Sequence, residues 1–210
     1  MGSPTVLLLI PPLTQLNTPY PSTAYLTGFL RAKGVSCEQA DLGIEMVLHL
    51  FSRSGLTQVF DELRPRKASL HPEARRMLAD RRAILDHVDP VVAYLQGKAP
   101  FLTDSLSKRG FLPQGPRFRT RRALPRSASR EDIAKQMATL FLEDLADLVQ
   151  ATITPHFALN RYGEHIARSA WSFDGLLAAI EEVPGLTDQF MVEALWNHVD
   201  QVKPDLVGLS

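Results

Sequence analysis

Between Pro4 and Pro11 lies an unbroken run, Thr5-Val-Leu-Leu-Leu-Ile10, apolar at five successive positions. Neighbouring side chains of an extended chain point to opposite faces, so a run that does not alternate is a strand buried on both sides. That pattern belongs to a parallel sheet covered by helices, and the flanking prolines end the strand cleanly. Ser22 then predicts a capped helix through Arg31, with Tyr25, Leu26, Phe29 and Leu30 on one apolar stripe and Gly34 as its left-handed stop. Val35 to Leu42 reads as a second strand, less apolar, as expected near a sheet edge. Residues 5–42 are thus a strand–helix–strand unit, right-handed by the general rule and half of a doubly wound motif.

Helical periodicity dominates the chain beyond residue 42. Ile44, Val47, Leu48 and Phe51, then Leu56, Val59, Phe60 and Leu63, fall at i, i+3, i+4, i+7, giving two short amphipathic helices around Gly55. A stretch from about Glu73 to Leu95 carries Met77, Leu78, Ile84, Leu85, Val88 and Val92, and Pro90 is expected to divide it into two helices. From Gly97 to Ser129 the chain is rich in Pro, Gly, Arg and Ser and reads as a long loop. Ser129 and Asp132 form a capping box for a helix through Gln150, with Ile133, Met137, Leu140, Phe141, Leu145 and Leu148 inward. Ser172 is expected to cap a helix carrying Leu176, Leu177 and Ile180, and Thr187 one carrying Met191, Ala194, Leu195, His198, Val199 and Val202. Pro204-Asp-Leu-Val-Gly-Leu-Ser210 reverts to a strand pattern.

The expected class is therefore α/β. It is a partial Rossmann-like parallel sheet, with strands near 5–10, 35–42 and 205–210, and a large, mainly helical insertion. Residues 1–42 form its first half, 43–202 the insertion with its basic loop at about 97–129, and 203–210 the returning strand. An apolar parallel strand normally runs on into a crossover helix, and three strands leave an open edge. The expectation is therefore that the chain is a fragment or that another element completes the sheet.

Charge is segregated under a formal total of zero: residues 1–63 hold 3 basic and 5 acidic side chains, 64–130 hold 16 and 5, and 131–210 hold 4 and 13. The lone cysteine, Cys37, cannot make an intrachain disulfide, a thiolate zinc cage or an iron–sulfur cluster, and suits a small core residue on a strand. No apolar run approaches the roughly 18 residues of a membrane span, and no basic region precedes a signal-like stretch, so no membrane partner and a cytoplasmic location are expected.

Leu7-Leu-Leu-Ile-Pro-Pro-Leu-Thr-Gln-Leu-Asn-Thr-Pro-Tyr-Pro-Ser-Thr-Ala-Tyr-Leu-Thr-Gly-Phe-Leu30 resembles the opening of radical S-adenosylmethionine proteins that carry an N-terminal cobalamin-binding-type domain. Asp41-Leu-Gly-Ile-Glu45, Tyr162-Gly-Glu-His-Ile-Ala-Arg-Ser-Ala-Trp-Ser-Phe-Asp174 and Lys203-Pro-Asp-Leu-Val-Gly-Leu-Ser210 are similar to the same family, and the likeness is weakest between about 64 and 130. The resemblance implies an N-terminal sheet ahead of a partial barrel, whose C-x3-C-x2-C cysteines hold a 4Fe-4S cluster that cleaves S-adenosylmethionine. None of those cysteines is in this chain, so the cluster and S-adenosylmethionine are expected only in a C-terminal barrel of the same polypeptide, the implied partner. The family's D-x-H-x-x-G motif, whose histidine ligates cobalt, is also missing: Asp41 is followed by Leu42 and Gly43.

In an open parallel sheet, ligands sit beyond the carboxyl ends of the strands, where the strand order reverses. Pro12, Thr14, Gln15, Asn17, Thr18 and Tyr20 after the first strand, and Ser210 after the last, are the candidate cofactor-binding residues. The amide and hydroxyl groups of Thr14, Gln15, Asn17, Thr18 and Tyr20 suit the amide side arms of a cobalamin, or a phosphate near Ser22. Asn17, Pro19 and Pro21 equally suit a rigid turn, with Tyr20 as a lid over the sheet. No catalytic residue is assigned. No metal ligand is assigned either, because no H-x3-H or H-E-x-x-H pair occurs and His198 reads as a hydrogen-bonded core residue. No hydrolase, P-loop or dinucleotide motif occurs. Arg117-Phe-Arg-Thr-Arg-Arg122 with Arg126 and Arg130 has the composition of a phosphate-contacting segment, with Phe111 or Phe118 for stacking, yet a paired or solvated loop is the expectation and a nucleic-acid partner is not. Two functions are compatible with these residues. One is a cobalamin-binding-type region that positions a corrinoid or an unidentified substrate for radical chemistry; the other is a noncatalytic helical docking module for RNA, protein or a partner subunit.

Overall fold

The computed structural model describes residues 4–11, 21–121, 123–155, 157, 159 and 173–210. The chain divides into two compact units, one built from residues 1–47 and 159–210, the other from 48–158.

The first unit holds a three-stranded parallel sheet of β1 (Thr5–Ile10), β2 (Ser36–Asp41) and β3 (Leu206–Leu209), in the order β2-β1-β3. The apolar run lies in the middle, and both its faces are covered. Leu7 and Leu9, with Ala40 and Leu42, pack under Ala194, Leu195, Val199 and Val202. Val6 and Leu8, with Cys37, pack against Leu30 and Val35. Complete burial of Leu7 and Leu9 contributes about 1.5–3 kcal/mol for each side chain. Cys37 is buried, as a small core residue should be. The fold is thus α/β, a partial Rossmann-like sheet with a helical insertion, and β2 takes the edge position that its polar composition suggests.

Helix α1 (Ser22–Ala32) crosses from β1 to β2 and stops at Gly34, whose φ of 77° is left-handed. Its buried face keeps only Leu30 of the expected stripe. Thr23 and Thr27 are buried, whereas Tyr25 and Phe29 are 77% and 60% exposed. The reason is an anchor: Arg31 donates from Nε to the Cys37 carbonyl at 2.8 Å and from Nη2 to Glu38 at 3.1 Å. Residues 23, 27 and 31 form one i, i+4 row, so fixing Arg31 on the edge strand turns the threonines to the sheet. Ser22 opens the helix without capping it; Pro21 precedes it, with no side-chain cap.

Leu186–Val202 is the helix that packs over Leu7 and Leu9. Thr187 lies in its first turn and is buried rather than capping; Gly185 precedes the helix, and its N–H donates to Asp188 at 2.7 Å. The helix ends at Lys203 in a left-handed conformation, φ 47°, and β3 starts three residues on. Thr5 N–H donates to the Asp205 carboxylate at 2.8 Å, and Asp205 N–H to the Thr5 carbonyl at 2.9 Å, setting the β1–β3 register. Leu177 and Ile180 of the helix Asp174–Glu181 are exposed rather than inward; Ser172 and the Leu176 side chain lie outside the described residues.

In the second unit, Arg53–Leu63 buries Leu56, Val59, Phe60 and Leu63. The helices Pro72–Ala79 and Arg81–Leu95 replace a single long one, as expected, but they divide at Asp80, and Pro90 sits inside the second. Arg53 accounts for this: its N–H donates to Asp89 at 2.9 Å and its guanidinium pairs with Asp86, holding the turn that leads into the proline at two points. Helix Arg130–Thr152 carries the expected capping box, Ser129 N–H to Asp132 at 2.8 Å and Asp132 N–H to Ser129 Oγ at 3.1 Å. Met137, Leu140, Phe141, Leu145 and Leu148 are buried on it. The stretch expected as a loop contains the short helices Thr103–Leu106 and Pro116–Thr120, and buries Leu106, Leu112 and Phe118. Among the described residues, no helix is long and apolar enough to cross a membrane.

Candidate functional site

With β1 central, the chain leaves it towards β2 on one side and returns as β3 on the other, so the strand order reverses at β1. The crevice of such a sheet lies beyond the carboxyl ends of β1 and β3. There Ser210 N–H donates to the Leu9 carbonyl at 3.0 Å, extending the ladder by one residue, and Ser210 Oγ hydrogen-bonds Ser22 Oγ at the first turn of α1. Two half-buried hydroxyls, 188 positions apart in sequence, thus meet where the sheet opens. Each retains acceptor capacity, and a hydroxyl pair of this kind can donate to or accept from an amide.

Ser210 is the candidate residue that the structure describes. Pro12, Thr14, Gln15, Asn17, Thr18 and Tyr20 lie outside the described residues, as does most of the Tyr162–Asp174 block. Asp41, at the carboxyl end of β2, accepts the Ile44 N–H at 3.0 Å and so caps the helix Leu42–Leu50. Its carboxylate is occupied in starting that helix.

A second polar contact belongs to the same unit. His198 Nε2 lies 2.8 and 2.9 Å from the two Glu45 carboxylate oxygens, across 153 positions of sequence. His198 is hydrogen-bonded, as its place on the inward stripe predicts; the partner carries no sequence signal, because no local spacing links residues so far apart. Ser22 escapes sequence reasoning for the same reason: as a residue type it signals a helix cap, and only the returning strand gives its hydroxyl another partner.

Three arginines of the second unit's arginine segment pair with carboxylates. Arg117 makes a two-pronged contact to Asp147, at 2.6 and 2.7 Å. Arg130 bonds Asp104 at 2.8 Å, and Arg119 bonds Glu73 at 2.7 Å. Phe118 is buried and cannot stack on a base; Phe111 stands edge-on to His87, with ring centres 5.0 Å apart. Buried Asp144 positions this segment by accepting N–H bonds from Gly115 at 2.8 Å and Arg117 at 2.9 Å. Burial holds its carboxyl above the ordinary aspartate value, against the two backbone donors that lower it.

Neither a scan against protein-family models nor searches of curated proteins and of solved structures gives a match.

Proposed function

We propose that the sheet unit is the N-terminal cobalamin-binding-type region of a radical S-adenosylmethionine enzyme, positioning a corrinoid or a substrate for chemistry carried out by an iron–sulfur domain outside these residues. The observation that supports this reading is the parallel order β2-β1-β3, whose reversal point carries the Ser22–Ser210 hydroxyl pair. It joins the resemblance of the Leu7–Leu30 and Lys203–Ser210 segments to that family. Ser22 and Ser210 would offer hydroxyls to the amide side arms of a corrinoid, alongside Thr14, Gln15, Asn17, Thr18 and Tyr20, which follow β1 in sequence. A bound corrinoid supplies cobalt-centred group-transfer chemistry; the chain's own residues hold and orient it. The sequence carries no D-x-H-x-x-G histidine, so a bound corrinoid would be held by these hydroxyl and amide groups rather than by an imidazole of that motif.

The test is a titration of the protein with hydroxocobalamin, read by visible absorption and by equilibrium dialysis. One corrinoid retained per chain is expected, with the gene reading on into a C-x3-C-x2-C cluster. No corrinoid retention would favour the docking module, for which the exposed Tyr25 and Phe29 face of α1 is the supporting observation.

A further inference from the structure

Four arginines that are scattered in sequence line one open cleft of about 660 Å³ in the second unit: Arg76, Arg109, Arg119 and Arg121, with Gln114 and the edge of Phe118. Ligand sites of small molecules fall in the range of about 300–1,000 Å³. Arg76 comes from the helix Pro72–Ala79, Arg109 from the turn after Thr103–Leu106, and Arg119 and Arg121 from the end of Pro116–Thr120. Like charges repel, so a fold gathers them at one cleft only where something offsets the cost.

The offset within the chain is small. Glu73 accepts Arg119 Nη2 at 2.7 Å and Arg76 Nε at 3.1 Å, and these two guanidinium groups hold its carboxyl below the usual glutamate range. Each takes up one of five donors, which fixes both side chains while leaving most of their N–H groups free to bond elsewhere. Arg121 makes a weak contact to the Met137 sulfur at 3.9 Å. Arg109 is exposed and has no carboxylate partner among the described residues. Arg117, by contrast, is turned away to Asp147, so the segment separates an arginine used in folding from those that face the cleft. The two N–H bonds to buried Asp144 hold the start of that segment in place.

Arg109 and Arg121 also line an adjoining cleft of about 330 Å³ whose other walls include Ala123, Leu124, Ile133 and Met137. The two clefts together present fork-shaped cation donors beside an apolar wall. Guanidinium forks match the oxygens of a phosphate in a way a diffuse positive surface does not. We propose that this double cleft binds a small phosphate ester, its phosphate among Arg76, Arg109, Arg119 and Arg121 and its apolar portion against Leu124 and Ile133. This is independent of whether the sheet unit holds a corrinoid.

The experiment is calorimetric titration of the whole chain with phenyl phosphate and with inorganic phosphate at low salt. Phenyl phosphate is expected to bind at least about threefold more tightly than inorganic phosphate, and Leu124→Ser to erase that difference. Arg109→Gln and Arg121→Gln are each expected to weaken both ligands about tenfold, with Lys67→Gln, an exposed cation outside the cleft, as the control that leaves them unchanged. Circular dichroism of these surface variants checks that the fold is kept. Equal loss from Lys67→Gln and Arg109→Gln would show diffuse charge attraction and overturn the site. So would single-stranded RNA that binds more tightly than phenyl phosphate and displaces it, because the cleft would then serve a polymer backbone.

Discussion

Gly115 and Asp144 show how little room one residue can have. A β-carbon on Gly115 would lie 2.2 Å from the Asp144 carboxyl carbon, and Asp144 is itself buried and held by two N–H donors. Gly115→Ala is therefore expected to destabilise the chain by about 1–3 kcal/mol, through overpacking and displacement of those bonds. Asp144→Asn keeps the shape but offers one acceptor to two N–H groups, leaving one donor buried and unpaired. The unpaired donor is a cost to the variant and the desolvated charge a cost to the ionised wild type, so the difference between them depends on pH. The pH dependence has a definite sign. A carboxyl whose native value lies above the ordinary 3.8 binds its proton more tightly in the folded state. Its contribution is then fully present below 3.8 and declines as pH rises through the native value. Urea unfolding of wild type and Asp144→Asn across the acid range checks this: the wild-type advantage should shrink with rising pH, and a constant advantage would refute it. The sequence around Gly115 reads as loop, because an aspartate 29 positions away that anchors a glycine leaves no local pattern.

At the scale of elements, legibility depends on whether the determinants are local. Arg130–Thr152 is readable down to its capping box, since Ser129, Asp132 and the apolar spacing all lie within the helix and agree with one another. Helix α1 is readable as a helix but not in its orientation. Periodicity favours the large apolar side chains, whereas Arg31 on the Cys37 carbonyl fixes the threonine row against the sheet. Pro90 is the third case: its intrinsic preference predicts a break, and two carboxylates held by Arg53 override it. The override has a cost, because the proline cannot donate to the carbonyl four residues before it and its ring crowds that turn. Pro90→Ala is accordingly expected to raise stability by about 1–3 kcal/mol, measured by urea denaturation. A lower midpoint in the variant would mean that the restriction proline places on the unfolded chain outweighs the strained turn.

At the scale of the whole molecule, the partition into units keeps part of the charge segregation that the sequence shows by thirds. Residues 48–158 hold 18 basic and 12 acidic side chains, and residues 1–47 with 159–210 hold 5 and 11. The sheet is legible from its ends, because an apolar run between prolines and an apolar terminus after helices each state a strand by themselves. Its register is not, since it rests on Thr5 and Asp205, 200 positions apart. Ordering so long a loop is entropically costly and is offset only once the β1–β3 ladder and the helix Leu186–Val202 are both in place. The sheet is therefore expected to open as one cooperative body, separately from the helical unit. Asp205→Ala removes the bond from Thr5 N–H, while its own N–H can still bond the Thr5 carbonyl, so the ladder is weakened rather than erased. In hydrogen exchange, the amides of Val6 to Leu9 and Leu206 to Leu209 should exchange faster in this variant, with those of Met137 to Val149 unchanged. Uniform acceleration across both sets would show a single cooperative unit and refute the separation.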